Sequence, residues 1–153
     1  IKVLIHPQQI IHSMVQFKDT SVLAQLGTPD MRVPIAYGLS WPERMESGAQ
    51  PLDFSALASL TFREPERERY PGLYLSWDAL QAPEGTTAVL NAANEVAVAA
   101  FLELGLRFDQ IHAVNHATLA ALRPSKPAGL GDLMAIDAEA RSVARAQVLK
   151  LRG

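Results

Sequence analysis

No cysteine occurs among the 153 residues. That excludes disulfides, thiolate metal sites and a cysteine nucleophile, and it fits a reducing, cytoplasmic setting. Long apolar runs are also missing. The most extended, Val96 to Leu102, falls far short of the ~20 residues that span a bilayer, so no membrane role is expected. The amino-terminal Ile1-Lys2-Val3-Leu4-Ile5 has neither the basic start nor the length of a signal peptide. It opens inside a strand-like run without a Met, which hints at residues upstream. An excess of one charge is lacking as well. Fourteen Lys and Arg oppose sixteen Asp and Glu, a formal net charge of −2, so no global field draws nucleic acid or an anionic membrane. Finally, there is no G-x-G-x-x-G after a strand and no P-loop, hence no visible phosphate cradle. Gly129-Leu130-Gly131 reads only as a loop.

What is present suits a soluble globular chain of one compact domain, or one small domain plus a piece of another. Hydrophobic residues make up 48% and charged residues 20%, too apolar for disorder. Lys2 to Ile5 reads as a short strand ended by His6-Pro7. Ile11 to Phe17 and Ser21 to Leu26 read as a hairpin around the turn Lys18-Asp19-Thr20. In its first strand His12, Met14 and Gln16 share one face and Ser13, Val15 and Phe17 the other. Both faces carry large apolar groups, so both are expected to be covered. Gly27-Thr28-Pro29-Asp30 reads as a helix start with a Thr cap, and the helix should reach about Leu39, with Pro34 distorting its first turn.

From Trp41 to Pro71 the proline content and the mixed charge run Arg63 to Arg69 predict an ordered but irregular linker, pinned by Leu52, Phe54, Leu57, Leu60 and Phe62. After Pro71 the pattern is helical. Helices are expected over Leu73 to Leu80, Thr86 to Leu104 with Gly105 as the stop, Asp109 to Leu122, and Asp137 to Leu151, the last two opening on Asp caps. The second is apolar on nearly every side and should be the buried central helix. Four helices with short loops predict a small antiparallel bundle. The fold class is therefore α+β: strands and a hairpin from part of an α/β domain, then a linker and a four-helix bundle.

Candidate chemistry is sparse. His112 and His116 have the four-residue spacing that lets two imidazoles meet one metal, but no glutamate stands between them and no third ligand suggests itself. They read as polar residues, with Asn115, on the outer face of their helix. His6 and His12 flank a proline turn, each either holding a loop or forming an active-site wall. Asn91, Asn94 and Glu95 interrupt an apolar helix and are expected to tie it to the linker or to irregular backbone. Asp30, Met31 and Arg32 sit at a helix start, where a soft methionine suits a flat ring and the helix end favours anions.

Several strings are unusual in combination: Val3-Leu4-Ile5-His6-Pro7-Gln8, Ile11-His12-Ser13-Met14-Val15, Ser21-Val22-Leu23-Ala24-Gln25-Leu26-Gly27, Pro29-Asp30-Met31-Arg32, Trp41-Pro42-Glu43-Arg44, Pro51-Leu52-Asp53-Phe54 and Leu90-Asn91-Ala92-Ala93-Asn94-Glu95. In this order they resemble the 1-deoxy-D-xylulose 5-phosphate reductoisomerases over essentially the whole chain. The resemblance implies the C-terminal part of an enzyme that converts 1-deoxy-D-xylulose 5-phosphate to 2-C-methyl-D-erythritol 4-phosphate in non-mevalonate isoprenoid synthesis, using NADPH and Mg²⁺ or Mn²⁺. It implies residues 1–40 as the end of a central catalytic and dimerisation domain, 41–66 as linker and 67–153 as helical bundle. The NADPH-binding domain, the metal ligands and the phosphate-binding segment would lie upstream, so no catalytic or metal-binding residue is expected here and the chain alone should be inactive. By the same resemblance Pro29 and Met31 would lie beside the nicotinamide ring, His12 would line the active site, and the hairpin would contribute to a homodimer. The family often carries Ser where this chain has Gln9, and Gly in the turn at Lys18-Asp19-Thr20. A non-catalytic dimerisation or scaffold module is the alternative reading.

Overall fold

The computed structural model describes residues 1–57, 59–103 and 105–152. The chain divides into two compact units, Ile1–Pro65 and Glu66–Gly153.

In the first unit β1 (Ile11–Gln16) pairs antiparallel with β2 (Val22–Leu26), Met14 opposite Ala24 and Val15 opposite Leu23. The register slips between Ile11 and Ser13, so His12 is the extra residue of a bulge, a device that re-aims a side chain. The connecting turn is closed by Asp19, whose Oδ1 accepts from the Ser21 backbone N–H at 3.0 Å and hydroxyl at 2.6 Å. Thr20 sits there at φ 73°, a left-handed conformation that a β-branched residue resists and glycine does not.

Three expectations are corrected in this unit. Lys2 to Ile5 is not a strand: only Ile5 pairs, exchanging bonds of 2.8 and 3.0 Å with Arg63, because no other described backbone runs beside it. The hairpin faces are not covered, and Met14, Val15, Val22 and Leu23 are all exposed, Leu23 by 66%. The helix α1 (Arg32–Ser40) begins later than Thr28-Pro29 suggested. Thr28 spends its hydroxyl on the Gln50 carbonyl at 2.8 Å, and Asp30 instead accepts from the Arg32 N–H at 2.9 Å. With that start, Pro34 falls at the third helical position, where its missing N–H has no intrahelical partner to lose. The stretch 41–65 holds no helix and, beyond Arg63, no bridged strand pairing among its described residues, while the Leu57 N–H donates to the Phe54 carbonyl at 3.3 Å. Phe54 is exposed and does not pin it, whereas Phe62 stacks on His6 with ring centroids 4.7 Å apart.

The second unit is the expected bundle: α2 (Pro71–Gln81), α3 (Thr86–Leu102), α4 (Phe108–Ala121) and α5 (Leu130–Arg152). Pro71 opens α2 at a position that suits its fixed φ and missing N–H. The central helix is α3, and it buries Val89, Ala92, Ala93, Ala97 and Ala100. These small residues face Ala140, Ala144 and Val148 of α5 and Val114 of α4, so backbones approach closely and the core is built of alanine and valine rather than large side chains. Gly105 donates its N–H to the Ala100 carbonyl at 2.9 Å, closing the end of α3; the expected end at Leu104 lies outside the described residues.

Two caps differ from expectation. Asp109 lies inside α4 and pairs with Arg107, while the helix is capped by Gln110, which accepts from the Arg107 N–H at 2.8 Å. The last helix starts at Leu130, seven residues before Asp137. Asp132 is its capping acid, accepting from the Ala128 N–H at 2.8 Å, and Leu130-Gly131 is helix, not loop. Asp137 is therefore interior, and it bonds Arg141 one turn on at 2.7 Å.

Candidate functional site

In the first unit β1 and the amino-terminal segment enclose a cavity of about 730 Å³. Met14 and Gln16 line it from the face their alternation predicts, the bulge at His12 brings both His12 and Ser13 to it, and His6 and Phe62 line it from another side. The two histidines differ in kind. His6 is a structural clasp: its Nδ1 lies 2.9 Å from the Thr61 carbonyl and its ring stacks on Phe62. Beside it Gln8 donates to the Thr61 hydroxyl at 3.0 Å and accepts from the Thr61 N–H at 3.2 Å. The Nε2 of His6 is buried without a partner among the described residues. His12 is exposed at the bulge, its ring available to whatever occupies the cavity.

Pro29 and Met31 are not among the residues lining this cavity. Met31 forms the N-cap of α1 and is 71% exposed, an apolar side chain at the positive end of a helix. Its backbone is fixed on both sides. Asp30 accepts from Arg32 Nε at 3.0 Å and Nη2 at 2.6 Å as well as from the backbone. The Arg32 side chain, then its N–H, hold the Asp30 carboxyl below its ordinary range. Such a turn can press an apolar group against a flat ring, but it offers no nucleophile or general base. No cluster of three His, Cys, Asp or Glu able to hold a metal exists among the described residues. A catalytic divalent ion needs several converging oxygens, so these residues do not fit one.

The helical unit corrects two further expectations. His112 is half-buried, not outward, with Nδ1 buried and without a partner among the described residues; its ring centroid is 6.1 Å from that of exposed His116. Burial, then the neighbouring His116, lower its pKa. Asn115 is 6% exposed and faces inward. Asn91, Asn94 and Glu95, expected as buried ties to the linker, are exposed. Asn91 donates to Glu95 at 3.1 Å, Glu95 accepts from Arg141 at 2.6 Å, and Asn94 accepts from Asn115 at 3.0 Å. Arg141, then Asn91, hold the Glu95 carboxyl low. Asn115 was placed on the outer face from sequence, and Arg141 was not singled out. The Asp137–Arg141 spacing was a usable signal, but the Asn94–Asn115 pairing joins different helices and leaves none.

The family model for the DXP reductoisomerase C-terminal domain matches residues 26–143. The 1-deoxy-D-xylulose 5-phosphate reductoisomerase of Chlorobium phaeobacteroides (strain BS1) is 52% identical over 145 residues, which are 95% of this chain and 38% of that protein. That of Acidithiobacillus ferrooxidans (strain ATCC 53993 / BNL-5-31) is 56% identical over 94% of this chain and 37% of its own length. The chain thus spans under two fifths of these relatives. Among solved structures, the reductoisomerase from Zymomonas mobilis in complex with NADPH aligns with a TM-score of 0.81 at 46% identity, over 96% of this chain and 39% of that one. A DOX-P reductoisomerase in complex with NADPH, fosmidomycin and magnesium aligns with a TM-score of 0.83 at 38% identity, over 97% of this chain and 38% of that one.

Proposed function

The chain belongs to the 1-deoxy-D-xylulose 5-phosphate reductoisomerase family, and on that premise we propose that it is the C-terminal portion of an enzyme converting 1-deoxy-D-xylulose 5-phosphate to 2-C-methyl-D-erythritol 4-phosphate. The observation that carries the reading is the alignment of 96% of the chain with the NADPH complex at a TM-score of 0.81. NADPH supplies the hydride when bound. This chain's own contribution is to shape the site. Met31 and Pro29 offer apolar contact to the nicotinamide side of the pocket, and His12 forms part of its wall. The Asp30–Arg32 pair fixes the turn that presents Met31. The Mg²⁺ or Mn²⁺ is held by residues other than these, since no ligand set exists among the described ones.

In this reading residues 1–40 close the catalytic domain, 41–66 form the linker and 67–153 the supporting bundle, in a homodimeric cytoplasmic enzyme with a small phosphosugar substrate. The exposed apolar faces of the hairpin support an interface there, and they equally favour the second reading, a dimerisation or scaffold module without chemistry of its own.

NADPH oxidation with 1-deoxy-D-xylulose 5-phosphate and Mn²⁺ tests the proposal, comparing the 153-residue chain with a complete reductoisomerase that carries it. Turnover in the complete protein alone is expected. Turnover by the chain itself would overturn the assignment of the chemistry to residues outside it, and none in a folded complete protein would leave the scaffold reading.

A further inference from the structure

Asn115 is buried in the bundle with only half of its amide satisfied. Its Nδ2 donates to Asn94 Oδ1 at 3.0 Å, and its own Oδ1 is buried without a partner among the described residues. Exchanging oxygen and nitrogen of that amide would orphan a buried donor instead, so the burial is unfavourable either way. Leucine, of nearly the same shape, would carry no such cost. What the amide achieves is to hold Asn94, an exposed residue of α3. Asn91, three residues earlier, is held in the same manner from the other side, through Glu95, Arg141 and Asp137 at 3.1, 2.6 and 2.7 Å. Each exposed amide is thus fixed by one end. Among the described residues, the Asn91 carbonyl and the Asn94 NH₂ have no hydrogen-bond partner.

Both line a groove of about 300 Å³ between α2 and α3, with Ser76, Thr87 and Leu90. No charged side chain lines it, so it is not built for a phosphate or a metal ion. Side chains three residues apart on a helix are neighbours, their Cβ atoms about 5–6 Å from each other. An extended main chain offers N–H and C=O groups along one edge at intervals of about 3.3–7 Å. Pre-oriented groups backed by a second layer of hydrogen bonds are the signature of a binding surface, and a local rule broken in a core without local gain points the same way.

We propose that Asn91 and Asn94 form a docking site for extended polypeptide main chain, supplied by the part of a complete reductoisomerase beyond these 153 residues, and that Asn115 is a positioning residue that aims Asn94. The proposal rests on the functional reading above. The occupant follows from the uncharged, donor-and-acceptor lining and from relatives of which this chain is only 37–38%, leaving most of a complete protein available to lie there.

The test compares thermal unfolding of two proteins: the chain alone, and the Zymomonas mobilis reductoisomerase with its matching segment replaced by this chain. Asn115→Leu should leave the melting temperature of the chain alone unchanged or raised, and lower that of the chimera by about 2 °C. Asn94→Ala should be silent in the chain within about 1 °C and likewise lower the chimera. Asn94→Gln, which keeps the amide, should recover part of that loss. An Asn115→Leu penalty of about 4 °C in the chain alone would overturn the proposal without any chimera, since the network would then serve the bundle itself. A chimera that turns over substrate yet ignores both substitutions would overturn the docking site and leave the functional reading standing. A folded chimera without turnover would count against that reading instead. A neutral sugar at millimolar concentration that shifted the Asn94 side-chain NMR signal in the chain alone would assign the groove to a hydroxylated ligand, and would also overturn the proposal.

Discussion

The helical unit and the hairpin unit solve the burial problem in opposite ways. From Glu66 onward, small residues interlock: Val89, Ala92, Ala93, Ala97, Val114, Ala140 and Ala144 are all inaccessible to solvent. Before Pro65, the buried hydrophobic residues among those described are Ile10 and Ala36, while Val15, Val22, Leu23 and Ile35 stand in solvent. Composition does not explain the contrast, since both are rich in apolar residues. A helix satisfies its own backbone and needs only a stripe of neighbours. A two-stranded hairpin has two edges and two faces and is marginal until something covers them. The helical unit builds a core of its own; the hairpin leaves its apolar faces exposed.

Substitutions can break or sharpen that contrast. The largest effect is expected from Ala144→Leu, which forces a large side chain between α5 and α3 and should cost about 3 kcal/mol in urea unfolding followed by helical circular dichroism. Its counterpart in the hairpin, Leu23→Ala, should cost within about 0.5 kcal/mol in the chain alone. A loss near 2 kcal/mol there would show the face to be covered in solution. Next comes Gly85→Ala. Gly85 has φ 91°, and a Cβ would meet Ile136 and Pro124 at 3.2 Å, so a loss of about 1–2 kcal/mol is expected.

A smaller effect concerns acidity. Burial and His116 hold the His112 pKa below its ordinary 6.5, so the unfolded chain takes up that proton first as pH falls. This contribution to stability is complete above pH 6.5 and is lost progressively below it, until the folded imidazole also protonates. His112→Leu should flatten the fall in melting temperature between neutral and mildly acidic pH; an unchanged fall would mean other groups cause it. The smallest effect is a gain: Thr20→Gly relieves a left-handed β-branched residue and should stabilise the hairpin by about 0.5 kcal/mol, read from slower amide exchange at Phe17 and Ser21.

Legibility in the sequence followed the range of the interactions. The hairpin and the central helix α3 were readable because alternation and all-round apolarity are local signals. Helix starts were misread where a side chain had a better partner than the cap. Thr28 bonds Gln50, Asp109 pairs with Arg107, and Asp137 pairs with Arg141 while Asp132 does the capping. Each is an ordinary cap residue that tertiary or neighbouring chemistry claimed first. In the candidate site, the face shared by Met14 and Gln16 was legible from the two-residue period, but the bulge at His12 that brings Ser13 to the same cavity was not. The inward turn of Asn115 was not, because nothing local separates a buried amide from a surface one.

The clasp between Ile5 and Arg63 sets an order of events. These two residues are 58 positions apart and share only two backbone bonds, of 2.8 and 3.0 Å. Closing a loop of that length costs roughly 3.5 kcal/mol in chain entropy beyond a constant, more than two hydrogen bonds typically return, so the His6–Phe62 stack and the Gln8–Thr61 bonds must form together with it. The turn at Asp19 needs no such cooperation and can form within microseconds. Folding of this unit therefore runs from the hairpin outward to the clasp, and opening runs back. Hydrogen exchange at Ile5 and Arg63 should be the quickest among its paired amides, which makes the clasp the place where the segment 41–65 first comes loose.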